Sequence, residues 1–266
     1  LDVCSSDLIS SVNNNLYWGR TLDTSFNPFE VGSKITIVPR NFTLETQSKP
    51  WKTKYAFLGI NLCGSTLFFD GVNEKGLAGG LLFLKACTWD KKENIEKQGL
   101  IAINSGEIVT WILSNFESVS DIKNNISKVV VTSDDIPSLG ELGKGNPITA
   151  HYTFTDKMGE SVVLEPTNHG HFRVFDNTVG VMANDPTFDW HMTNLANYLQ
   201  VQGFNKQQNH LNSKTVITPI SNGTGLLGLP GDYTSPSRFV RVAYLRNLIG
   251  DITDEEAPAR LFSILN

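Results

Sequence analysis

Residues 65–84 read Ser-Thr-Leu-Phe-Phe-Asp-Gly-Val-Asn-Glu-Lys-Gly-Leu-Ala-Gly-Gly-Leu-Leu-Phe-Leu. The segment Asn73-Glu-Lys-Gly76 is typical of a tight turn, so it predicts that residues 65–69 and 77–84 are antiparallel strands. Residues 77–84 are apolar at consecutive positions and not only at alternate ones, so we expect this strand to be buried on both faces. The stretch therefore predicts a sheet that is covered by another layer on each side.

Similar short runs of β-branched and aromatic residues predict strands on both sides of this hairpin. The predicted strands are 16–21, 34–38, 55–60, 151–155, 160–165, 171–175 and 178–182. Predicted helices are 108–116, 119–128, 238–248 and 255–265, the last with a capping box at Thr253-Asp-Glu-Glu256. Because strands are grouped with strands and helices with helices, we expect the α+β class, with two stacked sheets and helices outside. We expect one domain over residues 1–266.

The composition is that of a soluble globular protein, with 266 residues of which 40% are hydrophobic and 18% charged. A net charge of −5 does not favour binding to nucleic acid or to an anionic membrane surface. No apolar run approaches the roughly 18 residues of a membrane span. Three cysteines, Cys4, Cys63 and Cys87, argue against a disulfide scaffold. We expect a cytoplasmic location; an extracytoplasmic one stays open because the chain starts at Leu1 and not at Met.

The first candidate for chemistry is Cys4, which is followed at residues 17–23 by Tyr-Trp-Gly-Arg-Thr-Leu-Asp. If three residues are removed, the α-amine of the cysteine lies beside its own sulfur, and an unperturbed α-amine has a pKa of about 7.7–8.0. One residue would then be nucleophile and base, with Arg20 to favour the thiolate and Asp23 to hold the amine. The alternative is an ordinary cysteine and an exposed Arg20–Asp23 pair, which contributes little to stability.

A second candidate is Asn184, which ends a predicted strand before Asp185-Pro186. A side-chain amide in this position can donate to an oxyanion in a cleft. The alternative is a plain Asn-Asp-Pro turn. Arg238 stands at the start of a predicted helix, where a surface residue is the ordinary interpretation.

Three further patterns point away from other chemistries. Gly223-Thr-Gly-Leu-Leu-Gly228 has the spacing of a dinucleotide fingerprint, but Leu229-Pro230-Gly231 follows and prevents the helix that this motif requires. His169 and His171 have strand spacing without a matching Cys or acidic residue, so an exposed hairpin is favoured over a metal site. The sequence contains no G-x-S-x-G elbow, which argues against a serine hydrolase.

Taken together, the chain resembles the choloylglycine hydrolase family, the linear-amide C–N hydrolases of the N-terminal-nucleophile superfamily. The matching strings are CSS at 4–6, YWGRTLD at 17–23, ITIVPRNF at 35–42, FDGVNEKGL at 69–77, HYTFTD at 151–156, ESVVLEP at 160–166, GVMANDP at 180–186 and LGLPGDYTSPSRF at 227–239. They run almost from end to end in the family's order. Within the family the chain is most similar to the penicillin V acylases, and the bile salt hydrolases share most of the same strings.

The resemblance implies a four-layer αββα sandwich of two mostly antiparallel sheets. It also implies the catalytic set Cys4, Arg20, Asp23, Phe83, Asn184 and Arg238. In that set Cys4 would be the nucleophile and its own base after a leader of residues 1–3 is removed. Asn184 would be the side-chain oxyanion donor, and the backbone N–H of Phe83 the second donor. No metal or cofactor is implied.

The residue at position 83 bears on the substrate. Bile salt hydrolases usually have Asn there and penicillin V acylases usually have Tyr, so Phe83 favours the acylase type. A conjugated bile acid hydrolase and an inactive binding relative stay as alternatives. We expect a small-molecule amide substrate, no nucleic acid and no membrane span, with a homo-oligomer possible because family members form tetramers. The family continues with further strands beyond Leu265-Asn266, which implies that a C-terminal part is missing.

Overall fold

The computed structural model describes residues 4–22, 24, 27–136, 139, 143–145 and 147–265. The strands in chain order are β1 Ser5–Ser10, β2 Leu16–Thr21, β3 Ile35–Val38, β4 Thr43–Leu44, β5 Trp51–Lys52, β6 Phe57–Asn61, β7 Phe68–Asn73, β8 Ala78–Phe83, β9 Ile101–Asn104, β10 Val129–Thr132, β11 Ala150–Thr155, β12 Ser161–Asn168, β13 His171–Asp176, β14 Val181–Ala183, β15 Asn209–His210 and β16 Val216–Ile217. The α-helices are α1 Lys92–Lys97, α2 Ile108–Asn115, α3 Val119–Asn125, α4 Phe188–Leu195, α5 Ser235–Leu245 and α6 Ala257–Leu265.

The predicted hairpin lies in the larger sheet, whose strand order across the described residues is β3-β6-β7-β8-β11-β12-β13-β10-β9. Strands β7 and β8 are antiparallel, with Asp70 opposite Gly80, and the Gly76 N–H donates to the Asn73 carbonyl at 2.9 Å. Gly76 has φ +85°, a conformation that glycine adopts without strain. The first strand starts three residues later than predicted, because the Ser65 hydroxyl donates to the Leu62 carbonyl and closes a turn there.

The two faces of the larger sheet are covered by different layers. On one face, Tyr152 and Phe154 of β11 share a core with Ile108 and Ile112 of α2. On the other face, Leu82 and Val163 share a core with the smaller sheet. That core also contains Ile9, Val181, Met182 and Ala183. The larger sheet is therefore apolar on both sides, as its sequence predicted.

The smaller sheet has the strand order β14-β1-β2 within the part of the chain that is described. Its outer face carries α5 and α6, through Phe239 and Val242 of the first helix and Leu261 and Ile264 of the second. The layers run from α2 and α3 through the two sheets to α5 and α6. The predicted αββα sandwich is confirmed.

A groove of about 640 Å³ runs between β2 and the inner face of β3, β6 and β7. There the larger sheet extends past the smaller one, and four apolar side chains are left exposed on neighbouring strands. These side chains are Ile35, Ile37, Leu58 and Val72. None of the helices among the described residues has the length and apolar character needed to cross a membrane.

Candidate active site

Cys4 lies directly before β1 and is buried, with 6% of its surface exposed. Strand β1 pairs with β14 in the register Ser5↔Ala183 and Ser6↔Met182. Cys4 directly precedes β1 and Asn184 directly follows β14, so extending this antiparallel register by one residue sets Cys4 opposite Asn184. Residues directly opposite each other in an antiparallel pair point to the same face of the sheet. The register therefore brings the candidate nucleophile and the candidate oxyanion donor side by side, on the end of a short sheet.

Arg20 reaches the same face from the other neighbour of β1. It stands opposite Ser6 on β2, and position 6 shares the face of position 4 because side chains alternate along a strand. Its side chain is 5% exposed and extends between the two sheets. There Nη1 donates to the Phe69 carbonyl at 3.2 Å and lies 3.7 Å from Oδ2 of Asp70. The guanidinium is thus buried with an anionic neighbour, and not exposed as the alternative interpretation required.

The space for Arg20 comes from a glycine of the larger sheet. A Cβ at Gly80 would lie 3.0 Å from Nη1 of Arg20 and 2.7 Å from the Phe69 carbonyl oxygen. Any side chain at this position would displace the guanidinium or its acceptor. Burial raises the pKa of Asp70, and the charge of Arg20 opposes that increase.

Arg238 is also buried, although the sequence allowed a surface position. It lies in the first turns of α5, where it is 4% exposed, and its guanidinium points at the start of β1. Nε donates to the Ser5 hydroxyl at 3.1 Å, Nη2 to the Cys4 carbonyl at 2.9 Å and Nη1 to the Tyr233 carbonyl at 2.5 Å. Arg238 therefore fixes the backbone that carries Cys4. Asp23, the expected partner of the amine, lies outside the described residues.

Asn184 follows β14 and is buried at 4% exposure. Its carbonyl accepts two hydrogen bonds, from Nε2 of His191 at 2.8 Å and from the Ser235 hydroxyl at 2.7 Å. The backbone at Asn184 is thereby held by α4 on one side and α5 on the other.

Phe83 ends β8 and has a 39% exposed side chain. Its carbonyl accepts from the Asp185 N–H at 2.9 Å, and Oδ1 of Asp185 accepts from the Lys85 N–H at 2.6 Å. These two hydrogen bonds join the end of β8 to the residue after Asn184. The segments that contain the two proposed oxyanion donors, Phe83 and Asn184, are therefore adjacent and connected by hydrogen bonds.

Residues 4–266 match the family of linear amide C–N hydrolases, choloylglycine hydrolase family. The chain belongs to this family. It is similar to the bile salt hydrolase/transferase of Clostridium perfringens (strain 13 / Type A), with 33% identity over 273 residues, 99% of this chain and 78% of that protein. It is also similar to a penicillin V acylase of Pectobacterium atrosepticum, with 28% identity over 214 residues, 76% of this chain and 48% of that protein. A crystal structure of a variant of conjugated bile acid hydrolase from Clostridium perfringens superposes with a TM-score of 0.82, at 31% identity over 98% of this chain and 79% of that one.

This member of the choloylglycine hydrolase family has the N-terminal-nucleophile hydrolase fold that the resemblance implied. Of the six predicted site residues, the five that are described gather at one end of the β14-β1-β2 sheet. Sequence reasoning missed three residues that support them, Asp185, His191 and Ser235. The Asn-Asp-Pro segment was a signal for the first, but nothing local marked His191, because its partner carbonyl is contributed by another element. Within the described ranges, no group of three or more His, Cys, Asp or Glu could hold a metal ion.

Proposed function

We propose that this protein is an N-terminal cysteine amidase that hydrolyses a linear amide C–N bond. The observation that carries the proposal is the β1–β14 register, which sets Cys4 opposite Asn184 with Arg20 on the same face. A cysteine nucleophile, a nearby cation and a side-chain amide donor are the parts that acyl transfer through a thioester requires. The family of linear amide hydrolases supports the same reaction class.

In the proposed reaction, loss of residues 1–3 leaves Cys4 with a terminal α-amine. The thiolate attacks the acyl carbonyl, and the oxyanion accepts hydrogen bonds from the Asn184 amide and the Phe83 backbone N–H. The C–N bond then breaks as the α-amine, acting as general acid, protonates the leaving nitrogen. Water attacks the thioester, releases the acid and regenerates the thiol. Arg20 supports the thiolate, Asp23 holds the amine, and Arg238 keeps the Cys4 backbone in place through its carbonyl.

Two acyl groups are proposed for the substrate. Phe83 presents an exposed apolar ring beside the site, which favours an aryl-acyl amide such as penicillin V. The second candidate is a conjugated bile acid, because the relative from Clostridium perfringens that is 33% identical bears the name bile salt hydrolase/transferase. Hydrolysis of penicillin V and glycocholate measured side by side separates the two. A large preference for glycocholate would refute the acylase assignment.

The nucleophile is tested by Cys4→Ala and Cys4→Ser. Both variants should be essentially inactive, because neither alanine nor a hydroxyl of much higher pKa supplies a thiolate-like nucleophile. Amino-terminal sequencing of the purified protein should show cysteine as the first residue. Full activity in the alanine variant would show that another group attacks the substrate. A first residue upstream of the cysteine, in an inactive protein, would favour the binding relative instead.

The oxyanion role is tested by Asn184→Ala, which should lower kcat by about 10²–10³ with little change in KM. Asn184→Asp is the matched variant, since it keeps the size of the side chain and replaces the donor with an acceptor. Loss of affinity with unchanged kcat would move this residue from the oxyanion site to the substrate pocket.

We also propose that copies of this chain associate. The hairpin β15–β16 and the residues beside it expose Leu211, Val216, Ile217 and Ile220, and the last is fully exposed. Leu211 and Ile217 share one face of this hairpin, and exposed apolar side chains on a shared face are typical of a protein interface. Size-exclusion chromatography with light scattering tests this, and Ile220→Asp should lower the assembly state.

We propose a cytoplasmic location for the protein. The Cys63 and Cys87 thiols are not joined in a disulfide, which is typical of cytoplasmic proteins. Fractionation of the source cells checks this proposal, and recovery of the protein outside the cytoplasm would contradict it.

A further inference from the structure

Two histidines lie fully buried next to the site without taking part in the proposed chemistry. His151 is on β11 of the larger sheet and His191 is on α4, and each is 0% exposed. Buried polar groups are stable only when their hydrogen bonds are made. Both rings direct Nε2 at consecutive backbone carbonyls, those of Ala183 and Asn184.

His191 has a defined protonation state. Its Nε2 lies 2.8 Å from the Asn184 carbonyl oxygen, and a carbonyl only accepts, so Nε2 must carry the hydrogen. The ring stacks on Phe239 at 4.5 Å between centroids and 12° between planes. Burial lowers the pKa of His191 to about 4, which makes it a neutral imidazole at pH 7. Its position and its tautomer are therefore both fixed.

His151 is fixed in a different way. Nε2 lies 2.9 Å from the Ala183 carbonyl and must again be the donor, while Nδ1 lies 3.2 Å from Oε1 of Glu165. That contact needs one proton, which either the imidazole or the carboxyl can donate. Oε1 of Glu165 also accepts from the Phe188 N–H at 2.7 Å, at the start of α4. The pair thus links β11, β12 and α4 to the end of β14.

We propose that His151 and His191 are positioning residues that aim the side chain of Asn184. The Ala183 carbonyl belongs to the peptide plane before Asn184, and the Asn184 carbonyl to the plane after it. Peptide units are planar, so fixing both planes fixes φ and ψ of Asn184 and hence the direction of its Cα–Cβ bond. The Ser235 hydroxyl adds a second donor to the latter carbonyl. The inference rests on the proposed function, in which the Asn184 amide is an oxyanion donor.

A matched pair of substitutions separates positioning from bulk packing. In His191→Gln the side-chain nitrogen can take the place of Nε2 and donate to the Asn184 carbonyl, whereas in His191→Asn the amide is too short to reach it. Both variants lose the ring and its stacking equally. We expect His191→Asn to lower kcat by about 10- to 100-fold with KM little changed, and His191→Gln to recover most of that loss. A purely structural role would lower the melting temperature of both variants without separating their kcat values.

The decisive experiment is a double-mutant cycle with Asn184→Ala, measured as kcat and KM on the better of the two substrates. If His191 acts through Asn184, His191→Asn should have no further effect in the Asn184→Ala background. An equal fold-loss in both backgrounds would overturn the inference, as would equal kcat for the Asn and Gln variants. If Asn184→Ala alone leaves kcat unchanged, the inference fails because Asn184 is not the oxyanion donor. The proposed amidase reaction fails only if Cys4→Ala keeps full activity, so the two failures are distinct.

The controls use other histidines and the nucleophile. His169→Asn, in the exposed turn between β12 and β13, should leave kcat unchanged. The rate at which iodoacetamide alkylates Cys4 should be the same in all His191 variants, because positioning of Asn184 does not alter the thiol. If His191→Asn gives no cooperative unfolding transition, His151→Asn and His151→Gln repeat the comparison at the Ala183 carbonyl, and the same two outcomes decide it.

Discussion

The neutral state of His191 predicts how stability depends on pH. The ordinary histidine pKa of 6.5 holds in the unfolded chain, and burial lowers the pKa to about 4 in the folded protein. Between these values the unfolded state binds a proton that the folded state does not, so stability falls as pH falls. Each pKa unit corresponds to about 1.4 kcal/mol, so a pKa difference of about 2.5 changes the free energy of unfolding by about 3 kcal/mol. The protein therefore has this stability at pH 7, where His191 is neutral in both states, and has lost most of it at about pH 4.

The assay is urea unfolding at a series of pH values for the unchanged protein and for His191→Gln. The difference in unfolding free energy between the two proteins should change by about 3 kcal/mol between pH 7 and pH 4. The charged and titratable groups that act on this ring are His151, Asp185 and Arg238, and all are retained in the variant. Burial also raises the pKa of Asp7 to about 6, which acts in the opposite direction but is common to both proteins. A difference that is constant with pH would refute the buried neutral imidazole.

Because Asp185 is hydrogen-bonded to the end of β8, we expect Asp185→Ala to lower kcat about 10-fold. Asp185→Asn keeps the acceptor for the Lys85 N–H, so its kcat should stay close to that of the unchanged protein. Equal kcat values in the two variants would contradict this prediction. Arg246→Met removes the cation that lies 2.8 Å from the fully buried Asp7 carboxylate. Urea unfolding should show that the free energy of unfolding falls by about 3–5 kcal/mol, and a decrease below about 1 kcal/mol would contradict a buried ion pair. Phe83→Tyr should leave kcat on penicillin V nearly unchanged if position 83 contributes its backbone N–H, so a 100-fold loss would assign a role to the ring itself.

Sequence periodicity was sufficient to locate those strands and helices that are amphipathic or uniformly apolar. The strand at 16–21 and the start of α2 at Ile108 lie where predicted. The capping box is also confirmed, since the Thr253 N–H donates to Glu256 Oε2 at 3.0 Å and the Glu256 N–H to the Thr253 hydroxyl at 3.3 Å. Helix α5 begins at Ser235, three residues before the predicted start, and has Pro236 in its first turn. Proline is tolerated there, where no N–H is needed.

Strand β1, which directly follows the proposed nucleophile Cys4, could not be found in this way. Strand β1 has the sequence Ser-Ser-Asp-Leu-Ile-Ser, which has low strand propensity, yet five of its six residues are buried. Its polar side chains are stable inside the protein because Arg238 donates to the Ser5 hydroxyl and Arg246 pairs with Asp7. Those partners are more than 230 residues away in the chain, so no local pattern records them. The site residues were found through resemblance and not through periodicity for the same reason.

The position of β1 also determines when the site can exist. The guanidinium that holds the Cys4 carbonyl lies 234 residues later in the chain, so it is translated well after Cys4. At about 5–20 residues per second, synthesis of that interval takes roughly 10–50 s. Throughout this time the nascent chain carries Cys4 without its hydrogen bond from Arg238, and for most of it strand β14 is also missing. The surroundings of Cys4 are therefore completed late, after most of the sandwich has been translated and can pack around β1.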